Sequence, residues 1–213
     1  MKIYVNFCRR KVDNKKSSDK LSLVKILRRD FFMKKLSIYE MTTCAIMTAL
    51  MCVLGPLSIP IGPIPVSLTN FVLYVTIILL GTKLTLVSYI VYLLLALVGL
   101  PVLSGYSGGV AKLAGPTGGY LLGFIFLIII GGIFYEKFKS KHVIVGIGLF
   151  IGLLAAYFFG TIWFVYQMSV DIPYALSVCV FPFIPFDIVK IVIAIILGNI
   201  LKNALNKSGL INK

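Results

Sequence analysis

Charge is what this chain has least of. Asp, Glu, Lys and Arg together make up 13% of its 213 residues, about half of what a soluble domain carries. Carboxylates are scarcer still, seven in all, and there is one histidine, His142, in a Lys-rich stretch. A His-based metal site or a Ser-His-Asp triad therefore lacks its parts. The four cysteines, Cys8, Cys44, Cys52 and Cys179, form no CxxC or metal-spaced cluster. Cys44 and Cys52 fall on one predicted helix eight residues apart, too far along its axis to be bridged. All four read as packing residues or free thiols. No GxxxxGK[ST] run occurs, nor any Gly-Lys dipeptide, which excludes nucleotide hydrolysis by a P-loop. With no acid dyad and no His pair, an intramembrane enzyme is the least supported class, and neither metal nor cofactor is expected.

Apolar residues are abundant: 59% of the chain, with a mean hydropathy of +1.01. This is the composition of an all-α, multi-pass protein of the cell membrane. The net charge of +14 does not point to nucleic acid, because twelve of the 21 Lys and Arg lie in residues 1–35 and the rest are scattered without a basic stripe. Residues 1–32 read as a basic extension, disordered or interfacial, ahead of a membrane domain over 33–213. They lack the short apolar core of a signal peptide. Residues 21–32 fit a basic amphipathic helix on an anionic bilayer surface, and Met33 is an alternative start.

Six apolar runs follow, at about residues 38–54, 68–80, 84–100, 120–135, 143–168 and 184–204. The second is short for a span and is expected to start earlier, near Pro65, with Asn70 facing inward. A Pro-rich loop follows the first run, Gly81-Thr-Lys83 makes a tight connection, and a Gly-rich loop over 103–119 follows the third. A polar link near Asp171 and an apolar connection precede the sixth. With both termini cytoplasmic, nineteen Lys and Arg fall inside, Lys112 outside and Lys190 within the last span. That satisfies the positive-inside rule at every loop. The Pro-rich loop, the Gly-rich loop and the Asp171 region are then external.

Within the sixth run Asp187 and Lys190 stand three residues apart. An intramembrane charge costs about 2.5–3.5 kcal/mol at a helix centre and by default marks a function; mutual neutralisation as an i,i+3 pair is the other reading. Pro185 suits the first helical turn, which places the pair near the outer leaflet. The glycines of the Gly-rich loop let backbone approach a ligand, and its N–H groups can meet an acceptor. Thr117 is a candidate N-cap. Ala45 and Ala49 are small residues four apart, suited to close helix approach either within the chain or with a partner.

The stretches IPIGPIPVS (59–67), GLPV (99–102), LAGPTGGYLLGF (113–124), GTIW (160–163) and PFIPFDIVK (182–190) occur in the order seen in the BioY family. These are the biotin-specific substrate-binding (S) components of energy-coupling factor (ECF) transporters. The resemblance runs from about residue 33 to 204. It implies a six-helix subunit that captures biotin from outside and works with a transmembrane coupling subunit and two ATP-binding subunits. In that reading Asp187 accepts from the ureido ring or orients Lys190, and Lys190 meets the carboxylate. Asn70 and the backbone at Thr117, Gly118 and Gly119 add polar contacts, Tyr120, Trp163 and Tyr166 wall the apolar body, and Ala45 and Ala49 form the docking surface. Phe186 stands where the family usually has Gly, and Thr69-Asn70 where it often has Gln-Thr. The alternative, a self-sufficient secondary transporter, lacks an internal repeat.

Overall fold

The computed structural model describes residues 37–61, 64–139 and 141–207; the basic extension expected over 1–32 lies outside them. In hydrocarbon every backbone N–H and C=O must be satisfied within its own segment, so long apolar runs become helices. They do here: α1 (Ile38–Leu54), α2 (Thr69–Leu97), α4 (Gly118–Lys137), α5 (His142–Met168) and α7 (Phe183–Lys207). Short helices α3 (Val110–Leu113) and α6 (Ile172–Cys179) and a hairpin of β1 (Ser58–Ile61) and β2 (Ile64–Ser67) complete the described residues. A compact unit begins at Glu40. Four helices, α2, α4, α5 and α7, are long and apolar enough to cross a membrane, and α1 is a shorter apolar helix.

α2 is not one straight rod. Gly81 has φ 75° and ψ −175°, a backbone conformation essentially reserved for glycine. Thr69 and Tyr92 line one cavity, whereas 23 residues of continuous helix would hold them about 35 Å apart. The second arm therefore folds back beside the first. Glu136 fastens its restart by accepting the Thr82 N–H at 3.0 Å, and the Thr85 hydroxyl donates to the Gly81 carbonyl at 2.6 Å. The tight connection expected at 81–83 is thus present, but the helix before it starts at Thr69 and not near Pro65, because Pro65 and Val66 are committed to a strand.

Two other connections depart from the sequence reading. The Pro-rich stretch is an antiparallel hairpin, Ser58 opposite Ser67 and Pro60 opposite Pro65, so the domain is mostly rather than wholly helical. Opposed prolines can share a non-hydrogen-bonded pair, where their missing N–H groups leave no ladder bond unmade. The apolar connection after Asp171 is a helix, α6, with Pro in its first turn and Ala175 and Cys179 buried; Pro at that position favours helix initiation.

α4 and α5 run antiparallel across a seam of small residues. A Cβ on Gly123 would come within 2.8 Å of the Ala156 Cα, and one on Gly152 within 2.9 Å of the Leu127 carbonyl oxygen. Membrane helices associate by such close packing, since lipid offers no hydrophobic drive between them. Gly123→Val is expected to destabilise the detergent-purified protein by about 1–3 kcal/mol through overpacking against backbone that cannot yield, read as a lower melting temperature. The chain directions place the hairpin, the Gly-rich loop, α6 and the start of α7 at one end of the bundle. Lys137, Lys139, Lys141, His142, Lys202 and Lys207 lie at the other.

Candidate substrate-binding site

α7 begins at Phe183, and Pro185 lies in its first turn as expected. Asp187 is 2% exposed, and its carboxylate is held by three donors from three elements. Its Oδ1 accepts from Asn70 Nδ2 at 2.8 Å and from Lys190 Nζ at 3.0 Å, and its Oδ2 accepts from the Tyr157 hydroxyl. Lys190 Nζ also donates to the Ser67 carbonyl at 2.9 Å and to Asn70 Oδ1 at 3.1 Å. All three ammonium protons are thereby used. Asn70 Oδ1 accepts the Phe71 N–H as well, at 3.0 Å. The asparagine amide is oriented by a charge on each side, oxygen toward Lys190 and nitrogen toward Asp187.

The network forms the floor of a cavity of about 80 Å³ bounded by the hairpin, the Gly-rich segment, α4, α5 and α7. Five residues singled out from the sequence line it: Asn70, Thr117, Tyr120, Asp187 and Lys190. Tyr92, Phe124, Leu153 and Phe183 supply apolar wall. The pair is thus both things the sequence allowed, a 3.0 Å ion pair and part of a cavity lining.

The other expected contributors lie elsewhere. Gly118 and Gly119 pack behind the cavity, where a Cβ would meet the Leu113 carbonyl oxygen at 1.9 Å and the Trp163 Cβ at 2.2 Å. Two donors of the turn are used within it: the Gly118 N–H goes to Gly115 at 2.9 Å and that of Tyr120 to Thr117 at 3.2 Å. Trp163 donates Nε1–H to the Gly115 carbonyl at 2.9 Å, which pins the Gly-rich loop to α5. Tyr166 is 79% exposed and Phe186 is 50% exposed, and neither lines the cavity. The Phe186 departure therefore leaves the cavity wall untouched. Thr117 occupies the N-cap position of α4 with helical backbone angles and no side-chain capping bond, so its hydroxyl remains available to the cavity. Ala45 and Ala49 are exposed on α1, opposite the buried face of Met47, Thr48 and Met51.

Sequence reasoning missed Tyr157 and Lys112, which also line the cavity. Tyr157 is a hydroxyl inside an apolar run, and such a group needs a buried partner. Lys112 is the one lysine expected outside, a signal that served only to set topology. Among the described residues no three His, Cys, Asp or Glu come together as a metal site.

A mostly helical membrane protein whose mainly apolar cavity carries a charged, hydrogen-bonded network on one wall is the class these observations define. The chain belongs to the BioY family, whose family model matches residues 29–207. It is 34% identical to the biotin transporter BioY2 of Lactococcus lactis subsp. cremoris, over 82% of this chain and 96% of that protein. It is 38% identical to the biotin transporter BioY of Thermotoga maritima, over 76% and 95% respectively. A crystal structure of the S-component for biotin from an ECF-type ABC transporter superposes with a TM-score of 0.72 at 34% identity, covering 78% of this chain and 92% of that one.

Proposed function

We propose that this chain is the biotin-binding S component of an ECF-type uptake system. The observation that carries the reading is the pairing of unused valences at the cavity floor. Asp187 Oδ2 has accepted one hydrogen bond and retains a lone pair, and Asn70 Nδ2 has donated one and retains a proton. An acceptor beside a donor is the complement of a ureido N–H beside its carbonyl. Lys190 has no proton left for a carboxylate, so its part is to hold Asp187 and Asn70. The tail falls instead to Lys112, the other cation lining the cavity. Site cavities usually measure about 300–1,000 Å³, so admitting the whole ligand requires this cavity of about 80 Å³ to widen.

The chain would cross the cell membrane six times, through α1, the two arms of α2, α4, α5 and α7, with both termini cytoplasmic. The basic end of the bundle then faces the cytoplasm and the cavity faces outward. ATP hydrolysis belongs to partner subunits, and the exposed Ala45–Ala49 face of α1 is where a coupling subunit docks.

Calorimetric titration of the purified protein tests the ligand: biotin should bind, and an analogue with both ureido nitrogens methylated should not. Lys112→Gln is expected to weaken biotin about fivefold, as for a half-exposed ion pair worth ~1 kcal/mol, and to leave biotinamide unchanged. Equal losses for both ligands would remove Lys112 from the tail. Uptake that persists in vesicles without ATP or partner subunits would support the self-sufficient transporter instead.

A further inference from the structure

A second concavity lies away from the cavity just described, on the membrane-facing side between α5 and α7. Its walls are Gly146, Ile147 and Phe150 from one helix and Ile188, Val192 and Ile196 from the other, with a volume of about 470 Å³. Gly146 makes the notch: a Cβ there would find only side-chain ends, Ile195 Cδ1 at 3.3 Å and Ile191 Cγ2 at 4.0 Å. The groove wall holds no carboxylate, and His142 closes one end.

We propose that this groove binds one acyl chain of an anionic phospholipid, with the headgroup at His142 and Lys141. The dimensions agree. His142 to Phe150 and Ile188 to Ile196 each span eight residues, about 12 Å of helix, close to the ~15 Å hydrocarbon depth of a single leaflet. If a methylene takes roughly the ~30 Å³ of a water molecule, the groove holds on the order of fifteen carbons. The charge agrees as well, because the groove ends where the bundle is basic. Asn199 Nδ2 donates both to the Ile195 carbonyl at 2.7 Å and to His142 Nδ1 at 3.2 Å. Lys202 is turned away toward the Tyr135 hydroxyl and ring, so the headgroup falls to His142, which lines the groove, and to its exposed neighbour Lys141. The inference requires that the chain sit in a bilayer and is independent of the substrate.

The test is native mass spectrometry of the protein recovered from phosphatidylcholine vesicles containing phosphatidylglycerol. One retained phosphatidylglycerol per chain is expected. Gly146→Leu, which fills the notch, should abolish retention, and so should Ile147→Trp, which blocks the lip from a half-exposed position. An unchanged melting temperature in either variant reports an intact fold. Lys141→Gln with His142→Gln should lower the preference for phosphatidylglycerol over phosphatidylcholine about fivefold or more, the effect of one basic group at a membrane surface. Retention that survives both filled-groove variants, or no preference for the anionic lipid in the unaltered protein, overturns the proposal. So does loss of a dimer or of the coupling subunit in those variants with lipid retention unchanged, since the groove would then be a protein interface.

Discussion

Asp187→Asn is expected to raise the Kd for biotin about tenfold or more, since a hydrogen bond to a buried charged group is worth about 1.5–3 kcal/mol. The carboxylate is the single acceptor shared by Asn70, Lys190 and Tyr157. A neutral amide of the same shape offers two lone pairs and two protons where all the neighbours already donate. Lys190 then keeps its charge at 12% side-chain exposure with one acceptor weakened. Both binding and stability should fall, so the single variant does not separate site from scaffold. The double variant Asp187→Asn/Lys190→Met does. Replacing a buried pair by less polar groups is often neutral for stability, so the melting temperature should recover while biotin binding stays lost. Recovery of binding in the double variant would mean that the pair only neutralises itself.

Leu at both Ala45 and Ala49 is expected to reduce biotin uptake in cells by about tenfold or more while leaving the Kd of the purified subunit unchanged. Both alanines face outward, on the side of α1 that the described residues leave uncovered, so the added bulk meets none of those residues. Close helix approach through small residues depends on the space that Leu would fill. Co-purification with the coupling subunit distinguishes the causes. Loss of uptake with retained co-purification would remove this face from docking.

Much of this protein was legible before its fold. The paucity of charge and the six apolar runs announced a membrane bundle, and helix is the open-ended answer that hydrocarbon permits. The Gly81 turn was legible from a Gly-Thr-Lys break, and the position of Pro185 from its fixed φ. The hairpin was not, because proline signals the end of a helix without saying what replaces it. Nor was α6, whose eight residues are too few for a periodic pattern to stand out. Trp163 and Tyr166 looked alike as aromatics near the end of one helix. They lie one turn apart on neighbouring positions of that helix, yet Trp163 reaches the Gly115 carbonyl and clamps the Gly-rich loop, whereas Tyr166, a turn nearer the helix end, is 79% exposed.

The sequence alone determined that Asp187 and Lys190 would be adjacent and costly, because three residues on a helix make one turn whatever surrounds it. It could not determine what else would be within reach. Asn70 lies 117 residues away from Asp187, and Ser67 lies 123 away from Lys190. Only the docking of α7 along the first arm of α2 brings them to the pair. That convergence turns two opposite charges into a hydrogen-bonded network that holds the pair in place and leaves one lone pair and one proton unused. Hydrogen bonds of 3 Å are decided by where helices cross, and helix crossings are decided by packing across the whole bundle.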